Sequence, residues 1–436
     1  MKKIIKTIIA SALLSISTPS LAQSETLPSS AFSQLNIVEQ PTISPNGELI
    51  AAVYNTDGAT QQVVISPFGK VDLTTILKLR NQSERIVKLR WVNNERLLIS
   101  ADYPEHMYGS SRRVGQLFAV NKDGSELKEI KLRKLTDTKD WSWLVSGDQI
   151  VSMLPHDPEH ILLQQVSERD NYFPSVHKIN VYSGSSEKFA PSLQKPSYFI
   201  GDSTGRSVVA VAIEDLTRTF YLWQEDAGQW KEIGSYEAFE EDGFTPVLYE
   251  PANNTLIVKT YQKSDKQEVW RYSLDTDEWV EPLFQNETYD VARVMEHNGQ
   301  VIGFGYTADM PEVEFIAPAF KQRQALVENT FKGMNPIVVD FDESVNKLLV
   351  KTYSASGPSR FYFIDLANKA GGLWMALQPA LENKQFPAKQ PIEFEASDGL
   401  VLNGYLINGG DADRPLVVMP HGGPWQRDTQ VFHPLE

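Results

Sequence analysis

The sequence predicts an all-β fold, a seven-bladed β-propeller, followed by a short C-terminal stretch of a different, α/β class. Three observations carry that expectation. An apolar strand pair recurs around a turn-forming dipeptide, a second and more polar hairpin alternates with it, and both patterns stop near Ala370.

The dipeptides are Asn46-Gly47, Asn93-Asn94, Gly147-Asp148, Thr204-Gly205, Asn253-Asn254, Asn298-Gly299 and Val345-Asn346. They lie roughly 50 residues apart, the repeat length of a four-stranded blade. Asn and Gly suit such turns because they tolerate positive φ. The strands that follow are apolar, as in Leu49-Ile50-Ala51-Ala52-Val53 and Val208-Val209-Ala210-Val211. Between them sit polar hairpins such as Tyr221 to Trp230 and Trp270 to Trp279. Two hairpins per repeat make one blade, and the repeats give seven blades. An array of β-sandwiches would share the spacing, but the regular alternation of apolar with polar hairpins favours the propeller. Trp91, Trp141 and Trp143 are expected in the packing between blades.

The bulk numbers narrow the function. With 436 residues, 41% apolar and 22% charged, the chain is ordinary globular protein and long enough for two domains. Its formal charge is −15. Loss of Lys2, Lys3 and Lys6 with a leader would leave 38 basic against 56 acidic residues, or −18. Such a surface repels nucleic acid and anionic membrane, so neither is expected as a partner. Cysteine is absent, which excludes disulfides, thiolate nucleophiles and Cys-ligated metals. No cofactor and no metal is expected.

The first 22 residues read as a cleavable signal peptide. Met1-Lys2-Lys3 is a positive start, Ile4 to Leu14 is mostly apolar, and Ser20-Leu21-Ala22 offers small residues before a cut ahead of Gln23. The apolar run is shorter than the roughly 20 residues a membrane span requires. The chain is therefore expected to be exported, to a bacterial periplasm or beyond, without membrane insertion.

Residues 23–385 are assigned to the propeller and residues 386–436 to the start of the second domain. Leu373 to Glu382 reads as compatible with a short helix, and Pro387 and Pro391 punctuate a linker. Then come a hairpin over 392–406 with its turn at Ser397-Asp398-Gly399, and a continuous apolar run, Pro415 to Met419. A run of that kind suits a strand buried on both faces of a mixed or parallel sheet. Straight after it stands Pro420-His421-Gly422-Gly423-Pro424-Trp425. In α/β-hydrolases the loop after the third strand supplies one backbone N–H of the oxyanion hole, and glycines let the backbone turn and approach the oxyanion. His421, Gly422, Gly423 and Pro424 are therefore the candidate oxyanion loop.

At this point the sequence resembles a known family. The residues Phe394, Ala396, Asp398-Gly399, Leu402 and Gly404-Tyr405-Leu406, then Pro415 to Pro424 and Arg427-Asp428, are similar to the start of a prolyl oligopeptidase catalytic domain. His-Gly-Gly-Pro points to the acylaminoacyl-peptidase-like branch. Ile43-Ser44-Pro45-Asn46-Gly47 and Leu154-Pro155 with Asp157-Pro158 are similar to propeller segments of the same family. The resemblance implies an all-β propeller that caps an α/β-hydrolase domain and admits peptides or short unfolded segments. It implies serine-type acyl transfer, with Gly423 N–H as an oxyanion donor. The family's Ser, Asp and His follow this loop in chain order, and none is carried over within these residues, so the catalytic set here is none.

Two motifs imitate active sites. Gly201-Asp202-Ser203-Thr204-Gly205 matches the Gly-x-Ser-x-Gly elbow, but a strand follows where an elbow needs a helix. His156 and His160 are spaced for metal ligation only on a helix, and Pro158 between them argues for a loop. Two functions stay open: a serine peptidase whose triad lies outside these residues, or a propeller that binds peptides or proteins and carries a vestigial hydrolase tail. With no partner strand for 415–419, residues 386–436 are expected to be poorly ordered or to lean on the propeller.

Overall fold

A computed structural model describes residues 27–55, 60–79, 83–107, 110–131, 147–238, 243–262, 264–408, 415–423 and 426–436. The predicted leader, Trp141, Trp143 and Pro424 fall outside these residues.

Seven antiparallel meanders follow one another along the chain, over residues 38–78, 85–129, 150–190, 197–237, 244–284, 291–315 and 336–376. They are blades one to seven of a β-propeller. In each, the strands are hydrogen-bonded in chain order. First strands of neighbouring blades contact one another, one with two and seven, and four with three and five, so they line the axis.

The second strand of each blade explains the apolar runs in the sequence. In blade one, Ile50 and Ala52 pack towards blade seven, while Ala51 and Val53 pack towards blade two. In blade two, Leu97 and Ile99 face blade one and Leu98 faces blade three. Blades four, five and seven repeat the division. Successive strand side chains point to opposite faces, so a strand covered on both sides must be apolar throughout. The first strand instead carries a bulge against its neighbour in six blades, among them Glu39 to Thr42, Ile86 to Lys88 and Val338 to Asp340. A bulge sharpens the local twist of the strand.

The turns of the apolar hairpins are held by a polar side chain at their start. Asn93 Oδ1 accepts from the N–H groups of Glu95 and Arg96, Asp202 Oδ1 from Thr204 and Arg206, and Asp342 Oδ1 from Asn346 and Lys347. Gly299 must be glycine: its φ is +72°, and a Cβ there would stand 1.9 Å from the carbonyl oxygen of Ser203 in blade four.

Two expectations are corrected. Leu373 to Glu382 is not a helix; Ala370–Ala376 is the outer strand of blade seven, followed by a 3-10 turn at Pro379–Leu381. Gly371 and Gly372 are accommodated because they lie against Phe363 and Ile364 of the neighbouring strand. In blade three, Gly147-Asp148 is not the hairpin turn but precedes the first strand, Ile150–Ser152. The turn itself runs through Leu154 and Asp157, where the Asp157 N–H donates to the Leu154 carbonyl at 2.8 Å.

Blade six has three strands, and helix α1, Pro318–Thr330, follows them. Its Phe320 packs with Ile302 and Phe315 of blade six and with Phe341 of blade seven, and Val327 packs on Val338, Leu348 and Val350. Pro318 at the first helical position suits a helix start, because the N–H it lacks would be unpaired there.

The ring closes without exchange of strands. Blade seven meets blade one through Leu349, Phe361, Trp374 and Met375 against Val38, Ile43, Ile50 and Val64. Polar contacts join the same seam: Lys347 Nζ donates to Gly47 O at 2.8 Å, and Trp374 Nε1 donates to Lys70 O at 3.1 Å. Leu349 is fully buried there. Leu349→Ala should therefore cost about 2–5 kcal/mol, read as a lower midpoint in urea unfolding. An unchanged midpoint would show that the seam does not limit stability.

Candidate functional site

After blade seven the chain stays on one face of the ring, the face of the loops joining second to third strands. Phe386 N–H donates to Ser356 O at 3.2 Å, and Phe432 N–H donates to Ser354 O at 2.7 Å. Phe32 from the N-terminal segment, Phe386 and Phe432 form a chain of rings with centroids 5.9 and 4.8 Å apart. Lys389, 5% exposed, donates to Thr429 O at 3.1 Å and pairs with Glu436. A buried ammonium is tolerated only with such partners. Beside these contacts lies a crevice of about 380 Å³ lined by Asn36, Glu39, Lys351, Tyr353 and Phe432.

The hairpin Gln390–Glu395 with Val401–Leu406 is paired as the sequence indicates, with Ala396 N–H donating to Leu400 O. Its apolar side chains are outward: Phe394 is 52% and Val401 57% exposed. The expected strand at 415–419 is not formed. Leu416, Val417 and Val418 are about three-quarters exposed, and no sheet among the described residues includes them. A strand is stabilised by ladder partners, and this one has none beside it.

His421, Gly422 and Gly423 therefore sit on an exposed loop. His421 Nδ1 donates to the Gly422 carbonyl at 2.7 Å, and Gly423 has φ +146°, a backbone region open to glycine. The three residues are together and exposed, and among the described residues nothing comes within 4 Å of a Cβ placed on Gly422.

The imitating motifs receive structural explanations. Gly201 to Gly205 is the turn of blade four's apolar hairpin. A Cβ on Gly201 would meet Val151 O at 2.7 Å, and Gly205 has φ +71°, so both glycines serve strand packing and turn geometry. Ser203 N–H donates to Tyr249 O of blade five, and no histidine is bonded to Ser203 among the described residues. His160 Nδ1 lies 2.8 Å from Asp157 Oδ1, and Lys178 holds the other oxygen at 2.8 Å. Burial would raise the Asp157 carboxyl, but the bonds from Lys178 and His160 prevail and bring it down to about 2. The pair fastens the blade-three turn to its third strand.

Sequence reading did not single out a buried Ser, His and Asp in blade three. Ser175 Oγ lies 3.1 Å from His177 Nε2 and donates to Asp170 Oδ2 at 3.0 Å, while Lys188 Nζ donates to Asp170 Oδ1 at 2.6 Å. The order is wrong for nucleophilic catalysis, since Asp170 holds the serine rather than the imidazole. The cluster is a satisfied polar patch, and burial lowers His177 to about 4.

Charged groups line the axis. Lys88 and Arg90 stand on blade two's first strand, Arg293 and Glu296 on blade six's, and Asp340 on blade seven's. Burial lowers Lys88, and the positive charges of Arg90 and Arg293 lower it further. Burial raises Glu296 against the attraction of Arg90. Blades two and six are not ring neighbours, so these couplings cross the channel. Asp340 Oδ2 accepts from the Ile43 N–H at 2.7 Å, and burial still pushes its carboxyl up to about 6.

These shifts predict opposing effects of pH on stability. Between the ordinary carboxylate range and about pH 6, folded Asp340 keeps a proton that the unfolded chain has lost, so its contribution falls as pH rises. Between 6.5 and about 4, unfolded His177 takes up a proton that the folded chain refuses, so its contribution falls as pH drops. Asp340→Asn removes the first effect alone. Urea midpoints of this variant should climb more steeply with pH across that window than those of the parent; identical slopes would show that Asp340 does not titrate there.

No protein-family model matches the sequence. Over 304 residues the chain is 23% identical to dipeptidyl aminopeptidase BIII of Pseudoxanthomonas mexicana, covering 65% of this chain and 42% of that protein. Among solved structures, a prolyl endopeptidase superposes with TM-score 0.56 at 9% identity, covering 87% of this chain and 56% of the other. Prolyl oligopeptidase B from Galerina marginata, bound to a 35mer hydrolysis and macrocyclization substrate, gives 0.54 at 11%, covering 86% and 55%. Acylaminoacyl peptidase from Pyrococcus horikoshii gives 0.50 at 14%, covering 87% and 58%. The chain thus spans little more than half the length of these structures and less than half of the curated relative. The structural likeness is one of fold and covers the propeller. In sequence the chain is thus similar to a dipeptidyl aminopeptidase, and in fold to the propellers of prolyl oligopeptidases.

Proposed function

We propose that these residues are the propeller and the opening of the α/β-hydrolase domain of an exported serine peptidase, of the acylaminoacyl-peptidase-like branch, that cleaves peptides by acyl transfer. The observation that carries the reading is His421-Gly422-Gly423 following an apolar run and a hairpin, on a segment laid across one face of a closed propeller. In this reading the propeller limits access to peptides or short unfolded segments. Lys88, Arg90, Arg293, Glu296 and Asp340 would be charges that a peptide meets along the axis.

The chemistry is that of a serine nucleophile, a histidine base and an aspartate that orients it. Gly423 N–H would donate to the oxyanion, alongside the N–H of the residue after the nucleophile. One such donor is worth about 3 kcal/mol of transition-state binding when it is preorganised. Among the described residues no strand lies beside the loop to complete such a hole. No serine follows Gly423 in these 436 residues. Both points support the view that this chain by itself does not hydrolyse peptides.

A fluorophosphonate probe should leave the purified 436-residue chain unlabelled, and should label a chain carried on through a downstream Gly-x-Ser-x-Gly. Labelling of the shorter chain, at Ser203 or elsewhere, would overturn this assignment. Export is tested separately: N-terminal sequencing of the protein from a bacterial periplasm should begin at Gln23, and an intact Met1 there would refute cleavage.

A further inference from the structure

We propose that Asp309, on the turn between the second and third strands of blade six, is the propeller's positioning residue for the His421–Gly423 loop, acting through Tyr405 and Arg427. The catalytic meaning of that loop rests on the peptidase reading above; the docking itself does not.

The geometry is a base that closes a long excursion of chain. Tyr405, at the end of the hairpin, donates from its hydroxyl to Asp309 Oδ1 at 2.6 Å. Arg427, just beyond the loop, donates from Nη2 to the Tyr405 hydroxyl at 3.1 Å and lies 3.8 Å from Asp309 Oδ1. Its Nη1 donates to Thr307 O at 3.3 Å, and its guanidinium covers the ring of Tyr289 at 5.1 Å. Three residues on, Gln430 N–H donates to the Asp309 carbonyl at 2.7 Å. Burial raises the Tyr405 hydroxyl, and its bond to Asp309 raises it further, so it stays protonated and keeps donating.

Both stems of the 405–427 loop thus meet at Asp309, the first through its carboxylate and the second through its main-chain carbonyl and the longer Arg427 pairing. An exposed ion pair alone contributes little. Here a charge-assisted bond, a flat guanidinium on an aromatic face and a backbone bond act on the same two stems, which is the arrangement that restrains a loop. Release of either stem would return to the His421–Gly423 segment the entropy of an open chain. Arg427 is also the residue that Arg427-Asp428 contributes to the family resemblance, and no step of acyl transfer uses it.

The chain has no cysteine, so paired labels can be placed without background. Met419→Cys and Val280→Cys, at positions 58% and 54% exposed, take nitroxide labels on the loop and on blade five. Pulsed electron spin resonance of the full chain should give a single narrow distance distribution. Asp309→Ala and Arg427→Ala should each broaden it roughly twofold, as a released loop would, while the thermal midpoint of the propeller stays put. Asp309→Glu, which retains the carboxylate, should restore the narrow distribution. If Asp309→Ala lowers the propeller midpoint, Arg427→Ala decides, since Arg427 is outside the blades. Unchanged widths in both alanine variants, or a parent as broad as they are, would overturn the proposal. The fluorophosphonate result bears only on the peptidase reading, and the distance distribution only on the docking.

Discussion

Everything in this molecule depends on one constraint: the second strand of each blade is covered on both faces by its neighbours. Ile50, Leu98, Leu162, Val209, Ile257 and Leu349 are all at most 1% exposed. A blade cannot bury such a strand alone, because each face needs a partner sheet. The unit of stability is therefore the junction between blades, and each junction holds its own apolar cluster. The bulged first strands are mixed. Val38, Ile43, Ile86 and Leu89 of these strands still join the apolar clusters, while Lys88, Arg293 and Asp340 on the same strands stand at the axis.

Blade six is where the repeat is modified. Helix α1 wedges Phe320 and Val327 into the junction with blade seven. The turn of the same blade that carries Asp309 receives the stems of the C-terminal loop. A propeller whose other blades are alike has thus concentrated its docking chemistry on blades six and seven.

Much of the ring was legible in the residues. Asn46-Gly47 and Asn298-Gly299 mark turns because the backbone there adopts positive φ, and Trp91 lies in the junction of blades one and two. Other features were not. Gly147-Asp148 looks like a turn, but Leu154 adopts φ +50° in the true one, a choice local preference does not reveal. Helix α1 has a weak apolar face, with Gln324 buried between Phe320 and Val327, so its periodicity is faint. Leu373 to Ala376 became a strand because blade seven supplies a partner edge. His421-Gly422-Gly423 was singled out from residue type and spacing alone. Asp309 could not be, since its partners Tyr405 and Arg427 are distant in the chain and only the folded ring brings them together.

The seam between blades seven and one has a consequence for how the protein is made. Lys347 reaches Gly47 across 300 positions of sequence, and Ile43 reaches Asp340 across 297. Contacts so remote form late and slowly, because chain entropy must be lost before they reward it. During vectorial synthesis, blade one therefore waits with Val38, Ile50 and Val64 uncovered until the last blade emerges. The open arc is sticky on one side throughout that interval. Its handling by cellular holdases, rather than its final stability, would then set the yield of folded protein.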